Sequence, residues 1–226
     1  MLPLLFSSPA DRPLRVLCLG AHCDDIEIGC GGTIRSLIAG DRPVDFCWTV
    51  FSSNPARAQE AQAGAEAFLA GAHEQRVVVH EFRESFFPSE WEGIKEAFGR
   101  IRRDFEPDVV LTHRAKDLHQ DHRVISELTW NTFRDHLVLE YEIPKFDADL
   151  GQPNVFVPLT PETVDFKIAT LMGVFATQRE KDWFDEDTFR AVLRLRGVES
   201  NSPDRFAEAF HARKLPLEFG AGKPRK

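Results

Sequence analysis

A chain of 226 residues, with 42% hydrophobic and 28% charged positions, is long enough to bury the core of one α/β domain. Its net charge of −8 argues against a broad basic face for nucleic-acid phosphates, and no apolar run reaches membrane-spanning length. The apolar Met1–Phe6 patch lacks the basic and long hydrophobic regions of a secretory leader, and the four cysteines (Cys18, Cys23, Cys30, Cys47) lack ribbon or redox spacing, so reduced thiols in a cytoplasmic protein are expected.

Arg15–Leu19 (RVLCL) is a short apolar run stopped by Gly20 and predicts a buried strand. Gly29–Thr33 opens a predicted helix that continues to Ala39. Val44–Phe51 predicts a second strand, Pro55–Leu69 an alanine-rich helix with proline in its first turn, and Val77–His80 a third strand. Glu92–Phe105 has helical spacing and is closed by Pro107, after which Asp108–Thr112 (DVVLT) predicts a fourth buried strand. Beyond residue 136, Leu137–Glu142 and Asn154–Val157 predict strands around a turn-rich loop, Pro161–Val174 and Asp185–Leu195 predict helices, and Arg205–His211 predicts a last strand. Gly220–Lys226 has the composition of a flexible tail. The alternation of strand and helix implies an α/β, Rossmann-like, mostly parallel sheet with helices on both faces. The expected organisation is a single domain over residues 1–226, with 137–226 as a substrate-side elaboration.

Active sites in such folds lie beyond the carboxyl ends of the strands. Two polar clusters follow predicted strands directly: His22-Cys23-Asp24-Asp25 after the first, and His113 through His122 after the fourth. They can therefore meet in space. Together they offer histidine and carboxylate, the donors of hydrolytic zinc, which uses three protein ligands and leaves a position for water. Zinc brings the pKa of that water to about 7. A carboxylate outside the ligand set can then take the proton, and a histidine can face the developing oxyanion. Taken singly, His22 and Asp25 also read as a turn or helix cap, Asp24 as a solvated carboxylate, and His119 and Asp121 as helix-start residues. His113 reads equally as a pocket or a surface histidine. Arg114 and Lys116 read as solvated charges, and Phe86, Phe87 and Trp91 as core anchors rather than a sugar-stacking edge. The Gly29-Cys30-Gly31-Gly32 run fits neither a dinucleotide fingerprint nor a P-loop and reads as close helix packing.

His22-Cys23-Asp24-Asp25, the Gly31-Gly32-Thr33 run and His119-Gln120-Asp121-His122 closely resemble the LmbE-like/PIG-L family of zinc-dependent N-deacetylases. That family shows His-Pro-Asp-Asp after its first strand and a later His-x-Asp-His. The likeness extends to Arg57–Glu60, to Pro107–Thr112 and to Ala207–Phe210. It implies the LmbE-like fold and Zn2+ held by His22, Asp25 and His122. It makes Asp24 the general base and His119 the partner of the oxyanion and donor to the leaving amine, with Asp121 orienting the histidines from behind. The implied reaction is removal of acetyl from an N-acetylated amino sugar of N-acetylglucosamine type, free or linked to a nucleotide or glycan. Hydrolysis of another amide or ester, and a non-catalytic zinc-binding role, are the alternatives. The implied partner is a small-molecule sugar, with no nucleic acid; relatives commonly self-associate, which leaves a homo-oligomer open. Cys23 replaces the family's usual proline, which puts a thiol near the zinc motif. Ser52–Pro55 is shorter than the substrate-contacting loop of many relatives.

Overall fold

The computed structural model describes residues 12–216; the tail expected at 220–226 lies outside them. In chain order the elements are β1 (Leu14–Gly20), α1 (Asp25–Ile38), β2 (Val44–Val50), α2 (Pro55–Leu69), β3 (Glu74–Val79), α3 (Trp91–Asp104), β4 (Val109–His113), α4 (Gln120–Thr132), β5 (Leu137–Tyr141), β6 (Val155–Pro158), α5 (Pro161–Val174), α6 (Glu186–Glu199) and β7 (Ala207–His211). They build one 7-stranded sheet in the order β3-β2-β1-β4-β5-β7-β6. The first five strands are mutually parallel, and β7 runs antiparallel to both β5 and β6. The expected mostly parallel α/β architecture is therefore the observed one.

Side-chain alternation along β1 feeds two cores. Val16 and Cys18 join Ile26, Phe68, Ile168 and Leu171 beneath α1, α2 and α5, whereas Leu17 and Leu19 join Ile94, Phe98, Ile125 and Leu128 beneath α3 and α4. Both faces being covered, β1 reads as a continuous apolar run instead of an alternating one. From β1 the chain winds outward to β2 and β3, then returns to place β4 on the other side of β1. The carboxyl ends of β1 and β4 therefore flank the point where the winding reverses, which is where such sheets form a crevice.

Two local expectations need correction. Helix α1 begins at Asp25, not at Gly29, because the Ile28 N–H already donates to the Asp24 carbonyl at 3.0 Å. The glycines thus lie inside the helix and serve close packing: a Cβ at Gly29 would stand 2.2 Å from the Tyr141 ring, and one at Gly31 2.5 Å from the Phe68 ring. Helix α4 was expected only as a helix start at His119 and Asp121, with no range given to it, and it runs on to Thr132. Its apolar Val124, Ile125 and Leu128 carry the helical stripe, but its first turn is spent on polar side chains. The late segment Ala207–Phe210 packs on α1, where the Glu208 carboxylate accepts from the N–H groups of Gly32 at 2.7 Å and Thr33 at 2.6 Å and from the Lys167 ammonium at 2.6 Å. Among the described residues no helix is long and apolar enough to cross a membrane.

Candidate metal centre

The turn from β1 into α1 is built by its own functional residues. The His22 N–H donates to Asp25 Oδ2 at 2.6 Å, closing the turn as α1 begins. Backbone bonds from Phe51 to Gly20 and from Ser52 to Ala21 fasten it to the end of β2. Cys23 donates its thiol to the Ser52 carbonyl at 3.2 Å, and burial lifts its pKa to about 12, so this thiol is a protonated structural link. Asp24 stands at the N-cap position of α1 without capping it, its carboxylate instead gripped by Arg57 of α2, Nη2 to Oδ1 at 2.9 Å, while the same guanidinium reaches Glu84 at 3.1 Å. Burial raises the Asp24 carboxyl above the ordinary aspartate range, and Arg57 works against that rise.

The second cluster arrives from β4. His113 ends the strand and is fully buried, its Nε2 accepting from the Ala21 N–H at 2.9 Å and standing 3.1 Å from Asp25 Oδ2. The alternative of a surface histidine is thereby removed. His119 is the N-cap of α4, and its Nδ1 accepts from the Asp121 N–H at 3.2 Å. In the neutral ring this leaves the proton on Nε2 as a donor. Burial and neighbouring His22 lower the His119 pKa, which favours that neutral ring.

Two carboxylates fix the facing imidazoles. Asp121 pairs with His22 Nε2 at 3.1 Å and is itself held by the N–H groups of Ser85 at 2.6 Å and Phe87 at 3.2 Å. Asp117 pairs with His122 Nδ1 at 2.9 Å. Each ring is therefore turned so that its other nitrogen points inward, and His22 Nδ1 and His122 Nε2 come within 3.2 Å. Asp25 completes the set, Oδ2 at 3.4 Å from His22 Nδ1 and Oδ1 at 3.5 Å from His122 Nε2. Nitrogen and oxygen donors at tetrahedral corners around zinc stand about 3.3–3.5 Å apart. The donor atoms of His22, His119 and His122 lie within 4.8 Å of one another, as do those of Asp25, His113 and His122, so the two sets overlap at His122.

The electrostatics favour a cation at this overlap. Burial would lower the His22 imidazole, yet Asp25 and Asp121 outweigh it and lift it to about 10. Burial and neighbouring His113 press His122 down to about 3. Asp25, which burial alone would raise, is held below the usual carboxylate range by His122, His113 and His22. His122 as neutral imidazole and Asp25 as ionised carboxylate already have the forms zinc takes, whereas His22 would give up its proton to a bound metal; the geometry fits a zinc site.

The donor cluster floors a cavity of about 160 Å3 that Arg57, Glu84 and His119 also line. All the residues expected at the site meet here: His22, Asp24, Asp25, His119 and His122 line the cavity, with Asp121 directly behind His22. Asp117, in sequence only one member of the His113–His122 cluster and a weaker candidate than His119 and His122, proves to orient His122. Its signal was a carboxylate five positions before His122 in the same loop. Arg57 was legible only as part of a resembling segment. Phe87 is core beside His22, as expected, but Phe86 and Trp91 are exposed and so are not the core anchors expected of them, nor do they line the cavity; Arg114, expected as a solvated charge, is instead part-buried and donates to the Asp149 carbonyl. Nor does the Ser52–Pro55 stretch.

Solved structures share this architecture. GalB, the 4-carboxy-2-hydroxymuconate hydratase of Pseudomonas putida KT2440, superimposes with a TM-score of 0.74 at 17% identity, over 92% of this chain and 100% of its own. The N,N'-diacetylchitobiose deacetylase of Pyrococcus horikoshii gives 0.65 at 19% identity, over 88% and 83%. The teicoplanin deacetylase Orf2, in a zinc inhibited form, gives 0.67 at 14% identity, over 88% and 97%. No curated protein sequence matches the chain significantly. At these identities the likeness concerns the fold alone. The sequence profile described as PIG-L: GlcNAc-PI de-N-acetylase, however, matches residues 17–133, just over half of the chain and the segment that carries both histidine clusters. With its motif residues gathered into one metal-ligating cluster at the strand ends, the chain belongs to the PIG-L de-N-acetylase family of hydrolases.

Proposed function

We propose that the protein removes the acetyl group from an N-acetylated amino sugar, with His22, Asp25 and His122 as zinc ligands, Asp24 as general base and His119 as the oxyanion partner. The carrying observation is the 3.2 Å convergence of His22 Nδ1 and His122 Nε2 beside a non-ligating carboxylate, Asp24, in one open cavity. When bound there, zinc acidifies a water and polarises the amide carbonyl. Asp24, raised by burial and steadied by Arg57, accepts the proton of the attacking water. His119 presents Nε2–H to the oxyanion of the tetrahedral adduct, where a hydrogen bond is stronger than to the ground-state carbonyl. Asp24, rather than His119 as the resemblance implies, then returns its proton to the leaving nitrogen, because the one N–H of the neutral His119 ring is already on the oxyanion and an amide nitrogen leaves poorly unless protonated. Asp121 and Asp117 keep the two imidazoles turned inward throughout. The buried free cysteines fit a reducing, cytoplasmic setting.

The test is acetate release from a panel of N-acetylated sugars by the zinc-loaded protein. Release from at least one hexosamine derivative is expected. Inertness on all of them, with zinc-dependent cleavage of phosphoesters or addition of water to an unsaturated acid, would overturn the reading.

A further inference from the structure

Two turns outside the family match form the mouth of the cavity: Lys145–Asp147 between β5 and β6, and Lys181–Trp183 between α5 and α6. Each contributes one aromatic ring. Phe146 is 75% exposed and Trp183 is partly buried. The turns are anchored from beneath. Lys145 Nζ binds Asp117 at 3.0 Å and Asp149 at 2.6 Å, and Asp149 accepts from the Leu118 N–H at 2.7 Å, which fastens the first turn to the loop that orients His122. The second is tied to α2 by Thr177, whose N–H and hydroxyl donate to Glu60 at 2.8 and 2.6 Å, and Trp183 rests edge-on against buried Phe184 at 5.7 Å. Phe146 is thus an apolar plate on a held backbone, and little ordering remains to be done when a ligand covers it.

The charges along the wall narrow what that ligand is. Arg57 is met by Asp24 and Glu84, and Lys145 by Asp117 and Asp149. Among the described residues, the lining charges without an ion-pair partner are Lys181 and Asp147, one of each sign, with the Lys181 ammonium 5.4 Å over one face of the Trp183 ring. A diphosphate asks for several convergent free cations, and an alkyl chain would leave Lys181 and Asp147 unmatched. Hydroxyl groups both donate and accept, so they suit the two together. The apolar C–H face of a pyranose suits the rings.

Building on the deacetylase reading above, we infer that the mouth is a saccharide subsite: Phe146 and Trp183 stack on an uncharged pyranose linked to the N-acetylhexosamine whose acetamide reaches the donor cluster. The substrate is accordingly a glycan-linked amino sugar, not a nucleotide-linked one.

Kinetics of the zinc-loaded full chain would be compared on N-acetylglucosamine, its β-linked disaccharide and its uridine-diphosphate conjugate. The disaccharide should lead in kcat/KM by about tenfold. Phe146→Ala and Trp183→Ala should each raise its KM by about three- to tenfold with a smaller change in kcat, and Phe146→Tyr should retain most of the affinity. Calorimetric titration with the β-linked glucosamine disaccharide, which binds without turnover, should show the same losses. Preference for the nucleotide conjugate, or unchanged KM and affinity in both alanine variants, would overturn the subsite while leaving the deacetylase reading intact. Acetate from none of the sugars would overturn both.

Discussion

In the region from β1 to α4 the clustered histidines and Asp25 sit at strand ends or helix starts, and buried carboxylates hold two of the imidazoles, Asp121 on His22 and Asp117 on His122. The region from β5 to β7 contributes to the same cavity from turns, and its most prominent member, Phe146, is 75% exposed. One region holds its donor groups in place by hydrogen bonds, as a metal site requires; the other offers exposed surface at the mouth of the cavity. A hydratase and deacetylases share this fold. The scaffold does not choose the reaction, and what distinguishes relatives lies in side chains mounted on it.

The most severe test of that division is His22→Ala. If the first region alone holds the metal, the variant should lose most of its zinc and fall to background activity while the fold persists. Elemental analysis showing full occupancy would mean that the ligands lie elsewhere. Next comes Asp24→Asn, nearly isosteric and still able to bond Arg57 through its amide oxygen. Zinc should remain and kcat should fall by about 10²–10⁴-fold, the usual share of general base catalysis. A near wild-type kcat would reassign water activation. Smaller again is Asp117→Asn, at the seam between the regions because its carboxylate touches both His122 and Lys145. Weakening the partner of a ligand histidine costs about 10–100-fold in metal affinity, measurable by competition with a chelator. An unchanged affinity would show that packing alone orients His122.

The same asymmetry governed what could be read from the sequence. β1 and β4 are apolar runs buried on both faces, so their ends, and the clusters following them, were legible without coordinates. The resemblance named the donors, and the strand ends brought them together. Helix α4 was legible only at its start, through His119 and Asp121, because the residues of its first turn are chosen for chemistry and obscure its periodicity. The start of α1 was misjudged for a related reason: Asp25 serves as donor and first helical residue at once, while the glycines that look like a helix opening answer to Tyr141 and Phe68. The mouth was legible only as part of a substrate-side elaboration over 137–226, with none of its residues singled out. Nothing local in Lys145–Asp147 or Lys181–Trp183 distinguishes a cavity wall from any other turn, since only the crossing of distant loops makes them one.

The smallest effect, and the one that tests the boundary of the site, concerns Asn54. It lies in the short Ser52–Pro55 stretch, where the family resemblance would place a substrate-contacting loop. Here the stretch works as a cap: Asn54 Oδ1 accepts from the N–H groups of Ala56 at 3.1 Å and Arg57 at 3.0 Å, and Pro55 opens α2. Asn54 itself is exposed and does not line the cavity. Asn54→Ala leaves those two N–H groups to water and should cost about 1 kcal/mol of stability, roughly a fivefold shift in the folding equilibrium, read by denaturant unfolding. Arg57 keeps its contacts with Asp24 and Glu84 in the folded state, so KM for a deacetylated sugar's acetyl precursor should hold steady. A raised KM without a loss of stability would turn Ser52–Pro55 from a helix cap into part of the substrate surface, and the division between a metal-holding first region and a substrate-selecting second one would no longer stand.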